Sequence, residues 1–191
     1  SNHFARDKEL DGVGGIVQLT KLESRVQEYC AEKAVQGIPI SQELIGIKGM
    51  RGRFAGSNCA YKRVALYDIG GYDLRFKAHA SDIDLFWRLV DTKKRLLFDP
   101  DLAVEHLGFS KNLPMLARKS FGYGIGSANL ALSHFKNRSF ELFFYSRALK
   151  ETIKECFFGK RPKYPDCVFI DKLMFAFGRT WGMRRKKYFS Q

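Results

Sequence analysis

The spacing of apolar residues changes several times along the chain, and each change marks an element. GVGGIVQL at 12–19 is a short apolar run entered through glycines, the pattern of a buried strand. Leu22, Val26, Tyr29 and Val35 then recur at helical spacing, predicting a helix over 21–35 that Gly37 and Pro39 end. Residues 41–53 carry three glycines and no clean period, and so read as a loop. FAGSNCAY at 54–61 reads as a small-residue strand, and 62–67 as one or two helical turns stopped by Gly70 and Gly71. Residues 81–90 give the strongest helical signal. Ser81 and Asp84 form an S-x-x-D capping pattern, and Ile83, Phe86, Trp87 and Val90 make one apolar stripe. Asp84 and Arg88 pair at i,i+4 on the other face. Residues 95–98 read as a short strand broken by Pro100, and 102–106 as another. Helical spacing then dominates over 114–132, 140–157 and 166–179, with two prolines in the connection 159–165. No repeat or low-complexity segment interrupts the pattern.

A chain of 191 residues makes one domain or a large piece of one, and 45% hydrophobic residues with 28% charged can fill a core. No uncharged run approaches the ~20 apolar residues of a spanning helix, so no transmembrane segment is expected. No basic stretch followed by an apolar one opens the chain, so no signal peptide is expected. The four cysteines (Cys30, Cys59, Cys156, Cys167) form no C-x-x-C pair, which argues against a zinc ribbon or a disulfide framework and for a reduced, cytosolic setting.

Charge divides the chain unequally. Residues 1–110 hold 16 basic and 15 acidic side chains; residues 111–191 hold 17 and five, together with 11 of the 17 Phe. Two readings stand side by side. The second part meets an anionic partner such as a membrane surface or an acidic substrate, or it is a helical subdomain with an aromatic core and a solvated basic face. No RNA- or DNA-binding signature accompanies the charge, which sets nucleic acid aside.

Four short segments follow one another: GSNCAYKR at 56–63, IGGYD at 69–73, SDIDLFWRL at 81–89 and FDPDLAVEH at 98–106. Each alone is weak, but their order and spacing are specific. The succession resembles the second half of the family 2 glycosyltransferases of the GT-A fold, with their G-x-N-x-A-x-R/K-R, G-G-F-D, E-D-x-D-L-x-x-R-L and P-x-a-x-v-x-H segments. The resemblance runs from about residue 10 to about residue 130. It implies an α/β fold: a partial GT-A-like mixed sheet flanked by helices, followed by a helical C-terminal tail. It divides the chain into an acceptor-side catalytic half at 1–110 and a basic, aromatic-rich helical extension at 111–191.

The resemblance also implies roles. Inverting transfer needs a base for the acceptor hydroxyl, and in the family that base falls on Asp82, although Ser81 stands where Glu is usual. Asp82 and Asp84 are equally what a helix N-terminus favours. Gly56 and Asn58 occupy the positions where family backbone approaches the donor sugar. Gly71, Tyr72 and Asp73 fall on the turn that lines the acceptor site, though Asp73 suits a turn cap as well. His106 matches a position that completes a metal shell or touches the diphosphate, and is also an ordinary strand-end His. Arg118 and Lys119 are placed to reach a diphosphate, or to sit on a solvated face.

The complete enzyme would use Mn²⁺ or Mg²⁺, a nucleotide-sugar donor and a glycan or lipid-linked acceptor of the cell envelope. It would work in the cytoplasm, peripheral to the inner membrane face. The D-x-D strings at 82–84 and 99–101 lie too late in the chain to be the donor motif, and no nucleotide-binding βαβ half precedes Gly12. That half is expected in the same parent chain or in a partner, and the isolated chain is expected to be inactive. The Q-x-x-R-W motif of processive synthases has no match, which favours transfer of one sugar at a time. The alternative is a non-catalytic basic module on an anionic membrane surface.

Overall fold

The structure, a computed structural model, describes residues 2–18, 20–34, 39, 41–46, 54–76, 79–134 and 163–184. The helix expected over 140–157 and the basic residues from 185 onward lie outside them. In chain order the elements are α1 (His3–Arg6), β1 (Gly12–Gln18), α2 (Arg25–Ala34), β2 (Glu43–Leu44), β3 (Cys59–Tyr61), α3 (Arg63–Asp68), α4 (Ser81–Asp91), β4 (Leu96–Glu105), α5 (Leu113–His134) and α6 (Pro165–Arg184). They form two compact units. The first is Ser1–Leu22, Cys30–Leu74 and Ser81–Phe109; the second is Glu23–Tyr29, Arg75–Ala80 and Ser110–Gln191.

In the first unit four strands pair in the order β2-β4-β1-β3, with β1 and β4 parallel and the outer strands antiparallel. This is the mixed α/β sheet with flanking helices and a helical C-terminal segment that the sequence predicts. Its core is Ile45, Phe54, Ala65, Leu85, Phe86, Leu89, Leu96 and Phe98. The glycines of β1 make room for that core. A Cβ on Gly14 would lie 2.4 Å from the Phe54 ring, and one on Gly15 would lie 2.0 Å from the Leu102 carbonyl oxygen.

Several sequence expectations change. Residues 95–98 and 102–106 are not two strands: β4 runs unbroken through Pro100. Its register with β1 passes from Gly14↔Phe98 to Ile16↔Ala103, so residues 99–102 bulge opposite Gly15. Pro100 has no N–H to give, and a bulge asks for none. The strand expected at 54–61 shrinks to Cys59–Tyr61, because Gly56 and Ser57 turn. Within the loop expected at 41–53, Glu43 and Leu44 add a short strand to β4. Helix α2 starts at Arg25 rather than Lys21, because Ser24 accepts a hydrogen bond from the Gln27 N–H while Gln27 Oε1 accepts one from Glu23 N–H. Helix α4 forms where expected, but its buried face is Asp84, Leu85, Phe86 and Leu89, while Trp87 and Val90 are only partly covered. The last helix continues past residue 179 to Arg184.

The second unit is built on α5 and α6. They cross where small residues face each other: a Cβ on Gly124 would lie 2.1 Å from the Phe175 carbonyl oxygen, and one on Gly178 1.9 Å from that of Phe121. A buried carboxylate sits beside this contact. Asp171 Oδ1 accepts from the Ser120 hydroxyl and Oδ2 from the Tyr29 hydroxyl, each at 2.5 Å. Burying that charge is tolerable because both oxygens are hydrogen-bonded.

The tight contact in β1 gives a testable contrast. Gly14→Ala should lower the urea-unfolding free energy by about 1–3 kcal/mol, the usual cost of overpacking a filled core. Gly46→Ala, with nothing within 4 Å of the added carbon, should leave it nearly unchanged.

Candidate active site

Asp82 lies in the first turn of α4, where unpaired backbone N–H groups favour a carboxylate. Its Oδ1 accepts from the Ile83 N–H at 3.0 Å and its Oδ2 from the Gly56 N–H at 3.3 Å. A Cβ on Gly56 would lie 3.4 Å from the Asp82 Cβ, so the turn at 56–57 rests directly against the aspartate. Two residues predicted from sequence, Gly56 and Asp82, are thus in contact.

The electrostatics identify the remaining neighbours. Burial, and then the charge of Asp82, push the Cys59 thiol above its ordinary range, with a hydrogen bond to Tyr61 opposing them. Tyr61 is raised strongly, chiefly by burial and then by Cys59, with Asp82 also contributing. Tyr72 is raised by burial, by Cys59 and by Asp82. Tyr72 is 48% exposed. Cys59 and Tyr61 were not singled out from the sequence. They stand two apart on β3, immediately after the Gly56 turn, and the period of two along a strand was the signal that could have found them.

The turn bearing Tyr72 and Asp73 is held from beneath. Gly70 and Gly71 have φ of +75° and +69°, values that side chains rarely adopt. The Arg88 guanidinium donates to the Ile69 and Gly71 carbonyls at 2.8 and 2.7 Å, and through Nε to Asp84 Oδ2 at 2.8 Å. The Asp84–Arg88 pair expected on an outer face is therefore an inward anchor: Asp84 is buried, and the part-buried Arg88 spends its other donors on the turn backbone.

Other candidates fall elsewhere. The Asn58 side chain does not reach outward: its Nδ2 donates to the Ile16 and Leu102 carbonyls, both at 2.8 Å, and closes the β4 bulge. His106 lies just past β4, where its Nδ1 accepts from the Gly108 N–H at 2.9 Å and its ring meets Phe109 edge-on at 4.8 Å. Arg118 is exposed on α5 in the second unit. In the D-x-D at 99–101, Asp99 is buried against Gln42 and His3 at 2.9 and 2.8 Å. Among the described residues no three His, Cys, Asp or Glu side chains come together in a way that could hold a metal ion. These residues alone do not assemble the expected Mn²⁺ or Mg²⁺ site.

Comparison with known proteins agrees with a transferase relationship over part of the chain. Two curated proteins, each a pre-mycofactocin glycosyltransferase, from Mycobacterium tuberculosis strains CDC 1551 / Oshkosh and ATCC 25618 / H37Rv, are 37% identical to it over 70 residues. That stretch is 37% of this chain and 14% of each relative, so the match spans about a seventh of their length. No family model matches the chain, and no solved structure matches it.

Arg88 offers a direct probe of the anchor. Arg88→Ala leaves the Asp84 charge buried without this partner and should cost about 3–5 kcal/mol in urea unfolding. A loss below about 1 kcal/mol would show that the turn does not depend on it.

Proposed function

We propose that this chain is the acceptor-side half of an inverting, nucleotide-sugar-dependent glycosyltransferase of the family 2 type. The observation that carries the reading is the Asp82 carboxylate at the start of α4, bracketed by the Gly56 and Ile83 N–H groups, with its charge felt by Cys59 and Tyr72. The partial likeness to a glycosyltransferase supports the same class.

In this reading the acceptor hydroxyl docks beside Asp82. As its oxygen attacks the anomeric carbon of the donor sugar, the hydroxyl proton passes to the carboxylate. The bond from the anomeric carbon to the diphosphate oxygen breaks, and its electron pair leaves with the nucleoside diphosphate. Attack opposite the leaving group inverts the anomeric centre. The N–H groups of Gly56 and Ile83 fix which lone pairs of Asp82 face the acceptor, a task that does not require the Glu usually found at the Ser81 position. Tyr72 and Asp73, carried on the Arg88-anchored turn, form the acceptor wall. Gly56 lets backbone lie close to the sugar. The metal and the nucleotide would be held by a half contributed by the parent chain or a partner; His106, whose Nδ1 accepts from the Gly108 N–H and whose Nε2 therefore carries the proton, would touch the diphosphate as a donor rather than complete the metal shell. The acceptor is an envelope glycan or a lipid-linked sugar, and one sugar is added per turnover.

The test is Asp82→Asn in the assembled enzyme. Turnover should fall at least ~10²-fold, the contribution of a positioned general base, while donor affinity is kept. A folded variant with near-normal turnover contradicts the assignment.

A further inference from the structure

Helix α6 packs with its small and polar side inward. Cys167, Asp171, Gly178 and Gly182 are buried, and Gly178 and Gly182 form a G-x-x-x-G that brings its backbone onto α5. A row of large apolar residues lies on another side. Phe169, Leu173, Phe177 and Trp181 follow one another at i+4 spacing and are 53%, 37%, 56% and 49% exposed. A helix of a globular domain normally turns such a stripe to the core, and a continuous exposed apolar face marks an interaction surface. Beside the stripe runs a groove of about 320 Å³, lined by Phe121, Met174, Phe177, Thr180, Trp181 and Arg184.

The sequence that carries this face is mostly of one charge, although Arg179 is buried against Ser127. Between residues 163 and 187 there are seven basic side chains and two acidic ones. Both acidic ones are engaged elsewhere. Asp171 is buried under Ser120 and Tyr29, and Asp166 pairs with Arg25 at 3.3 Å. Arg184 closes the groove, and the sequence continues directly as Arg185, Lys186 and Lys187.

We infer that the outer face of α6 docks on an anionic phospholipid surface. The aromatic stripe lies at the boundary of headgroups and acyl chains, and Arg184 meets the lipid phosphates. From Phe169 to Trp181 the stripe is about 18 Å long at the rise of an α-helix, so it lies along the surface. Among the described residues no helix is long and apolar enough to cross a membrane. A basic, aromatic surface also suits single-stranded nucleic acid. Here Leu173 and Met174 continue the aromatics as an apolar strip and groove, a fit to acyl chains rather than to base edges. The inference stands independently of glycosyl transfer.

The experiment is co-sedimentation of the 191-residue chain with vesicles of phosphatidylglycerol in phosphatidylcholine, beside vesicles of phosphatidylcholine alone. Binding to the anionic vesicles should be strong at low salt and at least about tenfold weaker near 0.5 M NaCl, where screening shortens the reach of each charge. Neutral vesicles should bind little. Brominated acyl chains should quench part of the tryptophan emission, and that part should vanish in Trp181→Phe. Converting Arg184, Arg185, Lys186 and Lys187 to Gln should weaken binding by roughly tenfold or more with unchanged circular dichroism. Phe177→Ser should weaken it as well. Equal binding to both vesicle types, binding to neither, or no Trp181 quenching would overturn the inference. So would unfolding by Phe177→Ser, a dimer that shields Trp181, or tighter binding to an RNA oligonucleotide.

Discussion

The first unit depends on one side-chain amide. At Gly15 the β1 backbone approaches β4 so closely that a Cβ would fall 2.0 Å from the Leu102 carbonyl oxygen. Beyond that contact the two parallel strands lose register, and residues 99–102 bulge away. A bulge between two central strands strands carbonyl groups where water is scarce, and each such group costs about 1–3 kcal/mol if left without a donor. The two N–H bonds of the Asn58 amide are spent there, one on Ile16 and one on Leu102. Because Asn58 is fixed, so is the turn just before it, and that turn presents the Gly56 N–H to Asp82.

A second constraint works from the opposite side of the site. Two glycines with positive φ make a sharp turn, and a turn of that kind is mobile unless tied down. Arg88 ties it, spreading its guanidinium between two turn carbonyls and the buried Asp84. Since Asp84 and Arg88 are one helical turn apart on α4, the helix that carries Asp82 also positions the turn that carries Tyr72. The site is thus set by backbone hydrogen bonds on one side and, on the other, by the ion pair that Arg88 makes with the buried Asp84. Neither device contacts a substrate, and both would constrain one.

Much of this was legible in the sequence. The glycine-entered strand, α3 with its glycine stop, and α4 all follow from periodicity and capping. Gly56 and Asp82 were each singled out only through the resemblance, and their contact was not legible, because local spacing says nothing about contacts between residues 26 apart. Pro100 misled because proline breaks a regular strand, and nothing local announces that a bulge will accommodate it. Asn58 sat in a recognised segment, yet the direction of its amide depends on β1 and β4 and so is tertiary. Asp84 and Arg88 read as an outer pair because an i,i+4 spacing fixes neighbours on a helix but not which side the core will take. The same ambiguity governed α6: helical spacing marked the helix, and only the glycine contact with α5 showed which of its sides faces outward.

The claim at the centre is that the Asp82 carboxylate and the β3 face bearing Cys59 share one small site. Cys59 reports on this without any substrate, since its thiolate forms beside a fixed negative charge. The decisive measurement is the pH dependence of Cys59 alkylation, followed by mass spectrometry of its peptide, in the chain and in Asp82→Asn. The thiol should titrate above the ordinary cysteine range in the chain. It should move down in the variant without reaching the ordinary range, because the burial that contributes most is unchanged. Identical titration curves in the two proteins would contradict the shared site and, with it, the placement of Asp82 as the base.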